Sequence, residues 1–179
     1  MDYEESQYPI GRFQYGQSYS AQQIEELISK LRNLPAALKN CLARFTPKQL
    51  ELTYRRHGWT AKQLINHLVD VYIHGYVRTK WLLTEDQTVL KPYDQDSCAR
   101  LPDSKFANWE SSLILIDQII QRWSFLIEGV MPYDSSKRIY HPEYRRWHSL
   151  QELLAMYTWH GYHHLAHLEL IRQKGIPAD

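Results

Sequence analysis

Residues 150–173 have the sequence LQELLAMYTWHGYHHLAHLELIRQ. This segment combines a helical apolar pattern with four histidines. Ser149 precedes it and Glu152 follows three residues later, a pairing that satisfies the free backbone amides at a helix start. Gly175 and Pro177 come after the last turn and are typical of a helix end. The sequence therefore predicts one helix over residues 150–173.

Three further helix starts carry the same signal, a Ser or Thr followed three residues later by Gln. They are Ser20 with Gln23, Thr46 with Gln49, and Thr60 with Gln63. Apolar spacing predicts long helices over about 21–43, 60–83 and 106–128, and only one short turn after Thr46. The sequence thus indicates an all-α four-helix bundle, expected to form one domain over residues 1–179, with a short β-hairpin around Pro142 and Glu143. Because the connections at 84–105 and 130–148 are long, a simple up-and-down helix order is not required.

The last helix contains two histidine pairs at i, i+4 spacing, His160 with His164 and His163 with His167. Successive residues advance about 100° around a helix, which separates the two pairs. His164 falls within the apolar stripe and His160 lies on its flank. His167 lies farther round, and His163 is expected to point toward solvent. The inward pair is therefore His160 and His164.

An inward imidazole pair needs partners, because each ring carries a donor and an acceptor that burial removes from water. A divalent metal is one solution, since neutral imidazoles bind Zn²⁺ or Ni²⁺ at about 2.0–2.1 Å. The alternative is hydrogen bonding to tyrosine hydroxyls and backbone carbonyls, and spacing alone does not choose between the two. A third ligand would have to come from the second helix, where His67 and His74 are both possible.

Three neutral histidines leave a divalent ion its full charge and a free coordination position, the pattern of catalytic sites. Such an ion can activate a water or a thiol, or polarise a carbonyl. Gly161 follows His160 where metalloproteases of the His-Glu-x-x-His type carry glutamate, so peptidase activity is not expected. Asp70 is a candidate for orienting a ligand ring or acting as a base, and Arg78 for binding an anionic substrate group. A solvated carboxylate and an ordinary ion pair are the alternatives for these two residues.

Composition and charge exclude several other classes of protein. The chain is 44% hydrophobic and 23% charged, which is ordinary for a folded globular protein. Lys and Arg number 21 against 20 Asp and Glu, for a net charge of +1, so no nucleic-acid partner is expected. An acidic start and the lack of an apolar run of about 18 residues predict no membrane span and a cytoplasmic location. Cys41 and Cys98 are predicted to be free thiols. His57, His141 and His148 are expected in loops, as hydrogen-bonded pocket or surface histidines.

Short motifs spread along nearly the whole chain resemble the YfiT-like proteins of the DinB superfamily, described as metal-dependent hydrolases and related to bacillithiol S-transferases. These motifs are Tyr8-Pro9-Ile10-Gly11, Gly58-Trp59-Thr60, His67-Leu68-Val69-Asp70, Lys91-Pro92-Tyr93-Asp94, Tyr140-His141-Pro142 and the run from Trp159 through His167. The resemblance implies a DinB-type bundle, a cytoplasmic homodimer and one divalent metal per subunit, Zn²⁺ or Ni²⁺. It also places the three ligands on His67, His160 and His164.

Two functional hypotheses follow from these residues and the resemblance. In the first, the protein is a metal-dependent enzyme that activates either a water for hydrolysis or a small thiol for transfer to an electrophile. Thiol transfer is preferred, because a thiolate needs no strong protein base and no such base is evident. In the second, the protein is a non-catalytic metal-binding or dimerisation module, which a closed shell of four ligands, completed by His163 or by a residue of a partner chain, would favour.

Overall fold

The computed structural model describes residues 6–131 and 137–178. Helices and short strands make up the described secondary structure. The helices are α1 (Ala21–Leu42), α2 (Ala61–Thr84), α3 (Gln95–Cys98), α4 (Pro102–Phe106), α5 (Trp109–Val130) and α6 (Leu150–Lys174), with a 3-10 turn at Pro47–Glu51. The strands are β1 (Leu52–Thr53), β2 (Thr88–Val89), β3 (Ile139–His141), β4 (Arg146–His148) and β5 (Ile176–Pro177).

The capping signals in the sequence mark the helix starts correctly. At Ser20, Thr46 and Thr60 the cap side chain accepts from a backbone amide three residues on, and the glutamine there bonds back. Ser149 also accepts from the Glu152 amide, but the Glu152 carboxylate turns elsewhere and accepts from the Gly16 amide at 2.8 Å. The box predicted at the start of α6 is therefore only half formed.

Four long helices make the predicted bundle, with α1 and α2 each packing against both α5 and α6. Helices that follow one another in the chain, α1 with α2 and α5 with α6, therefore lie diagonally across the bundle. Apolar side chains from all four helices fill the centre, where Trp123, Tyr72 and Leu34 are fully buried. This order places α2 beside α6, and these are the two helices that carry the candidate metal ligands.

The third long helix starts later than the sequence predicts. Phe106 ends the separate helix α4, and Asn108 caps α5 by accepting from the amides of Glu110 and Ser111. The predicted start at 106 was wrong because the apolar pattern runs across this cap without a break. The hairpin is confirmed, with β3 antiparallel to β4 and Ile139 opposite His148. β2 adds a parallel third strand beside β3.

A second small sheet brings the chain before α2 against the end of α6. β1 pairs antiparallel with β5, with Leu52 opposite Pro177 and Thr53 opposite Ile176. This pairing holds the following residue, Tyr54, beside the histidines of α6. Cys41 and Cys98 are free, as predicted. Within the described residues, the helices are too short or too polar to cross a bilayer.

Candidate metal centre

Three histidine side chains from two helices converge where α2 packs against α6. The Nε2 atom of His160 lies 2.8 Å from Nε2 of His164 and 3.3 Å from Nε2 of His67. One nitrogen from each of the three rings lies within 4.8 Å of the other two. His160 and His164 share a face of α6 because they are one helical turn apart, and α2 supplies His67 from across the contact.

The donor set and its spacing fit a divalent transition metal. Nitrogens held about 2.0–2.1 Å from one ion at tetrahedral or right angles are about 2.8–3.4 Å apart, and both printed Nε2 separations fall in that interval. Across residues 6–131 and 137–178, no fourth histidine, cysteine or carboxylate joins this trio. The arrangement therefore offers three neutral nitrogen ligands and leaves room for a further one.

Burial keeps the three imidazoles neutral. His67 is 1% exposed, and desolvation, followed by the charge of His163, lowers its pKa to about 3. Desolvation also lowers the pKa values of His160 and His164 well below the usual value, and neighbouring histidines add to the effect. Neutral rings present lone pairs at pH 7, which is the form that binds metal.

The prediction that His163 points toward solvent was wrong. His163 is only 7% exposed, because the Trp159 ring stacks on it at 4.7 Å and Tyr8 covers it from the N-terminal segment. Burial lowers its pKa to about 4. The helical wheel considers one helix and cannot include cover supplied by a distant part of the chain.

His167 is also buried, with 1% exposure. The Tyr54 ring stacks on it at 3.9 Å, and its Nε2 atom lies 3.1 Å from the Ser6 carbonyl oxygen. Desolvation is the main cause that lowers its pKa to about 3. His163, His164 and His167 form a second group of closely spaced ring nitrogens, which shares His164 with the first trio.

A cavity of about 540 Å³ opens over the histidines of α6. Five aromatic side chains form much of its wall, namely Tyr8, Tyr54, Trp59, Tyr93 and Trp159. Charged groups also line it, with Arg55 from the loop before α2 and Asp94 and Asp96 from the start of α3. Its size is that of a small-molecule site, and its walls offer both apolar surface and a few charges.

The structure separates the two candidate histidines of α2. His67 joins the trio and packs against Trp59 at 4.6 Å. His74 hydrogen-bonds through Nδ1 to the Asp70 carbonyl oxygen at 2.8 Å and stacks on Tyr93 at 4.2 Å. Of the two, His67 is therefore the one in position to complete a metal site.

Asp70 and Arg78 stand one layer away from the cavity and are not among its lining residues. Arg78 is buried and donates to the Tyr157 hydroxyl at 2.9 Å and to the Lys91 carbonyl at 2.8 Å. Asp70 is half-buried, and desolvation followed by the charge of Asp103 raises its pKa. Both affect the wall residue Tyr93: its pKa rises mainly through burial, Asp70 adds to the rise, and Arg78 opposes it.

Three aromatic contributors to the site were not assigned a role from the sequence. Tyr8 and Tyr93 belong to motifs that carry the family resemblance, so a signal for them was present. Tyr54 follows the short strand β1 and has no periodic pattern around it that would predict its place over His167. Its position depends on the pairing of β1 with β5 at the far end of the chain.

Fold and site together define a four-helix-bundle protein with a histidine-rich cavity suited to a metal. The DinB superfamily matches residues 30–168, and the chain belongs to this superfamily. It is 36% identical over 169 residues to "Putative metal-dependent hydrolase YfiT" of Bacillus subtilis, covering 94% of this chain and 95% of that protein. A similarly described relative from Bacillus pumilus is 39% identical over 168 residues, with 93% and 95% covered.

The solved structure of Bacillus subtilis YfiT has the same architecture. It superposes with a TM-score of 0.90 at 35% sequence identity, covering 94% of this chain and 97% of that one. That protein is described as having an unusual four-helix bundle topology.

Proposed function

We propose that the protein is a metal-dependent enzyme whose His67, His160 and His164 hold one divalent ion, Zn²⁺ or Ni²⁺. The observation that carries the proposal is the convergence of these three neutral rings, with no carboxylate among them, beside the cavity. Such an ion supplies positive charge that favours the deprotonated form of a water or thiol and polarises a carbonyl. The open shell of three ligands is the pattern of catalytic zinc sites.

The cavity walls support a small-molecule substrate. Tyr8, Trp59 and Trp159 offer flat apolar surface that can pack against an organic group and exclude water. Arg55 and Asp94 place opposite charges at the same cavity, which suits a substrate that has both polar and apolar parts. The histidines thus present the metal to a partly enclosed volume of about 540 Å³.

Thiol transfer to an electrophile fits these walls better than hydrolysis. A general base for hydrolysis works best with a pKa near the operating pH. Hydrogen bonds from Ser97 hold the pKa of the Asp94 carboxyl below its usual value, and burial holds that of His163 at about 4. Neither group is therefore a strong base at pH 7, whereas a thiolate attacks without one. Hydrolysis is the second candidate, supported by the descriptions of the relatives.

Within this proposal Asp70 and Arg78 are positioning residues that act through Tyr93. Arg78 lies 5.9 Å from the Tyr93 ring and is fixed by its bonds to Tyr157 and Lys91. The backbone carbonyl of Asp70 accepts a hydrogen bond from the His74 ring, and the His74 ring stacks on Tyr93. The two residues thus support the cavity wall from behind.

A non-catalytic metal-binding module is the alternative. A fourth ligand, from His163 or from a partner chain, would favour this alternative. The ring nitrogens of His163 group with those of His164 and His167 rather than with His67 and His160. The homodimer and the cytoplasmic location stay predictions from the resemblance and the sequence.

Metal content of single-histidine variants tests the proposal, with His67 and His74 as a matched pair on α2. We expect about one Zn²⁺ or Ni²⁺ per chain in wild type and in His74→Ala, and loss of the metal in His67→Ala and His160→Ala, measured by plasma mass spectrometry. The same samples are then assayed for bacillithiol consumption with monochlorobimane and for ester and amide hydrolysis. Thiol consumption that follows metal content supports the transferase, and metal-dependent hydrolysis alone supports the hydrolase. Metal without either activity favours the module, and a metal-free wild type overturns the site.

A further inference from the structure

The two ring nitrogens of His164 face different neighbours. Its Nε2 atom faces Nε2 of His160 in the trio at 2.8 Å. Its Nδ1 atom lies 3.3 Å from Nδ1 of His167 on the other side. A neutral imidazole carries its proton on only one nitrogen, so the choice decides whether His164 can offer a lone pair to the trio.

Backbone carbonyls at the start of the chain settle this choice. The Nε2 atom of His167 lies 3.1 Å from the Ser6 carbonyl oxygen and 3.3 Å from that of Gln7. Carbonyl oxygens only accept hydrogen bonds, so Nε2 of His167 carries the proton and its Nδ1 is an acceptor. Nδ1 of His164 must then be the donor, and Nε2 of His164 keeps its lone pair for the trio.

We propose that His167 is a positioning residue that fixes the tautomer and the ring orientation of His164, and that the Ser6–Gln7 backbone sets this relay. The inference rests on the proposed function, in which His164 is a metal ligand. Metal-binding histidines commonly donate their second nitrogen to a fixed acceptor, and here a neutral histidine takes the place of the usual carboxylate or carbonyl.

The surroundings of His167 fit such a role. Its side chain is 1% exposed and is clamped by the Tyr54 ring at 3.9 Å and an interplanar angle of 20°. A ring held in this way cannot turn to offer its other nitrogen. His67 has no counterpart, because its Nδ1 atom is buried without a hydrogen-bond partner in the described structure. The relay therefore distinguishes His164 from His67, the ligand that α2 supplies.

The second histidine group offers a competing arrangement. If His163, His164 and His167 held a metal through Nδ1 of His164, the atom that faces His167, this nitrogen could not donate to His167. The relay and this second metal site are therefore mutually exclusive for a neutral His164.

The first test measures Zn²⁺ affinity of the purified full chain by competition with a chromophoric chelator. His167→Leu removes the acceptor at similar bulk, and we expect affinity to fall about 10–100-fold, the usual effect of losing such a partner. His167→Asn keeps an acceptor near the Nδ1 position and should recover most of that loss. His141→Leu is the control for a buried histidine away from the cavity and the relay, and should bind as wild type does.

The second test reads the tautomers directly and needs no metal and no variant. Two-bond ¹H–¹⁵N correlation spectra of the metal-free protein should show His164 protonated on Nδ1 and His167 on Nε2. His164 protonated on Nε2, equal affinity of His167→Leu and wild type, or a second Zn²⁺ lost in His163→Leu would each overturn the relay. A wild type that binds no metal would instead overturn the proposed function, so the two failures are distinguishable.

Discussion

Two buried histidine clusters lie along α6, one at its start and one near its middle. At the start, the fully buried His148 donates from Nδ1 to the Glu152 carboxylate at 2.9 Å, and Arg146 lies 3.5 Å from the same carboxylate. In the middle of α6, His160 and His164 face each other through Nε2, and no carboxylate of the described residues joins them. One cluster is paired within the chain, and the other is open.

The presence or absence of a carboxylate partner distinguishes a structural histidine from a candidate metal ligand. Burial lowers the pKa of His148, but Glu152 opposes that shift, so the chain itself supplies the balancing charge. Burial lowers the pKa values of His160 and His164, and neighbouring histidines lower them further. The two rings therefore stay neutral and keep their lone pairs. A divalent ion would satisfy the second cluster and has no place in the first.

Breaking the paired cluster should reduce the stability of the protein more than the other substitutions considered below. Glu152→Ala removes the acceptor of His148 and of the Gly16 amide, and leaves Arg146 without its partner. We expect the free energy of unfolding to fall by about 3–5 kcal/mol, as when one partner of a buried pair is lost. Urea denaturation of the metal-free protein measures it.

Glu152→Gln is the matched control, since it keeps one acceptor oxygen and the side-chain shape. Its loss of stability should be smaller than that of Glu152→Ala. Zn²⁺ affinity should be unchanged in both variants, because the open cluster lies several turns away. A fall in affinity that parallels the fall in stability would show that the two clusters are not independent.

Gly161 lies beside the open cluster and gives the next effect. A Cβ atom at this position would overlap the Tyr72 hydroxyl and the Leu34 side chain, both of which are fully buried. Gly161→Ala should therefore push α6 away from α1 and α2 and cost about 1–3 kcal/mol of stability. Because α2 carries His67, this variant should also weaken Zn²⁺ binding, in contrast to Glu152→Ala.

The control for this variant is Gly129→Ala in α5, where a Cβ atom would meet nothing within 4 Å. Alanine favours a helix over glycine by up to about 1 kcal/mol, so stability there should stay equal or rise. If Gly161→Ala unfolds at the same temperature as wild type and binds Zn²⁺ equally well, the prediction is contradicted. Close packing of α6 would then not be what brings its histidines to His67.

Local signals in the sequence were enough for most of the bundle. Capping at Ser20 and Thr60 and the apolar spacing after them depend on neighbouring residues, and both helices begin within a residue of the prediction. The start of α5 was missed because the cap at Asn108 lies inside a continuous apolar pattern. The half-formed box at Ser149 was missed for a different reason, since Glu152 is engaged by the distant Gly16 and by His148.

The open cluster was only partly accessible to the same reasoning. The wheel placed His164 inward, but the exposure of His163 depends on Tyr8, which is far away in the chain. The choice of His67 over His74 came from the family resemblance, because periodicity left both possible. His67, and not His74, belongs to the histidine trio of the structure, and the assignment of this trio as a metal site stays a proposal.

Acid sensitivity is absent at neutral pH and grows only as the pH falls, and the clearest case is His67 of the open cluster. The pKa of His67 is about 3 in the folded chain, against about 6.5 for an unfolded histidine. Between these values the unfolded state takes up a proton that the folded state does not, so stability is complete above about pH 6.5 and falls as pH decreases. Each such histidine contributes about 1.4 kcal/mol per pH unit in that window. His67→Leu should therefore reduce the slope of unfolding free energy against pH by about that amount between pH 6 and 4 in metal-free protein, measured by urea denaturation. Equal slopes in the variant and wild type would mean that the folded chain accepts a proton at His67, and the open cluster would then resemble the paired one.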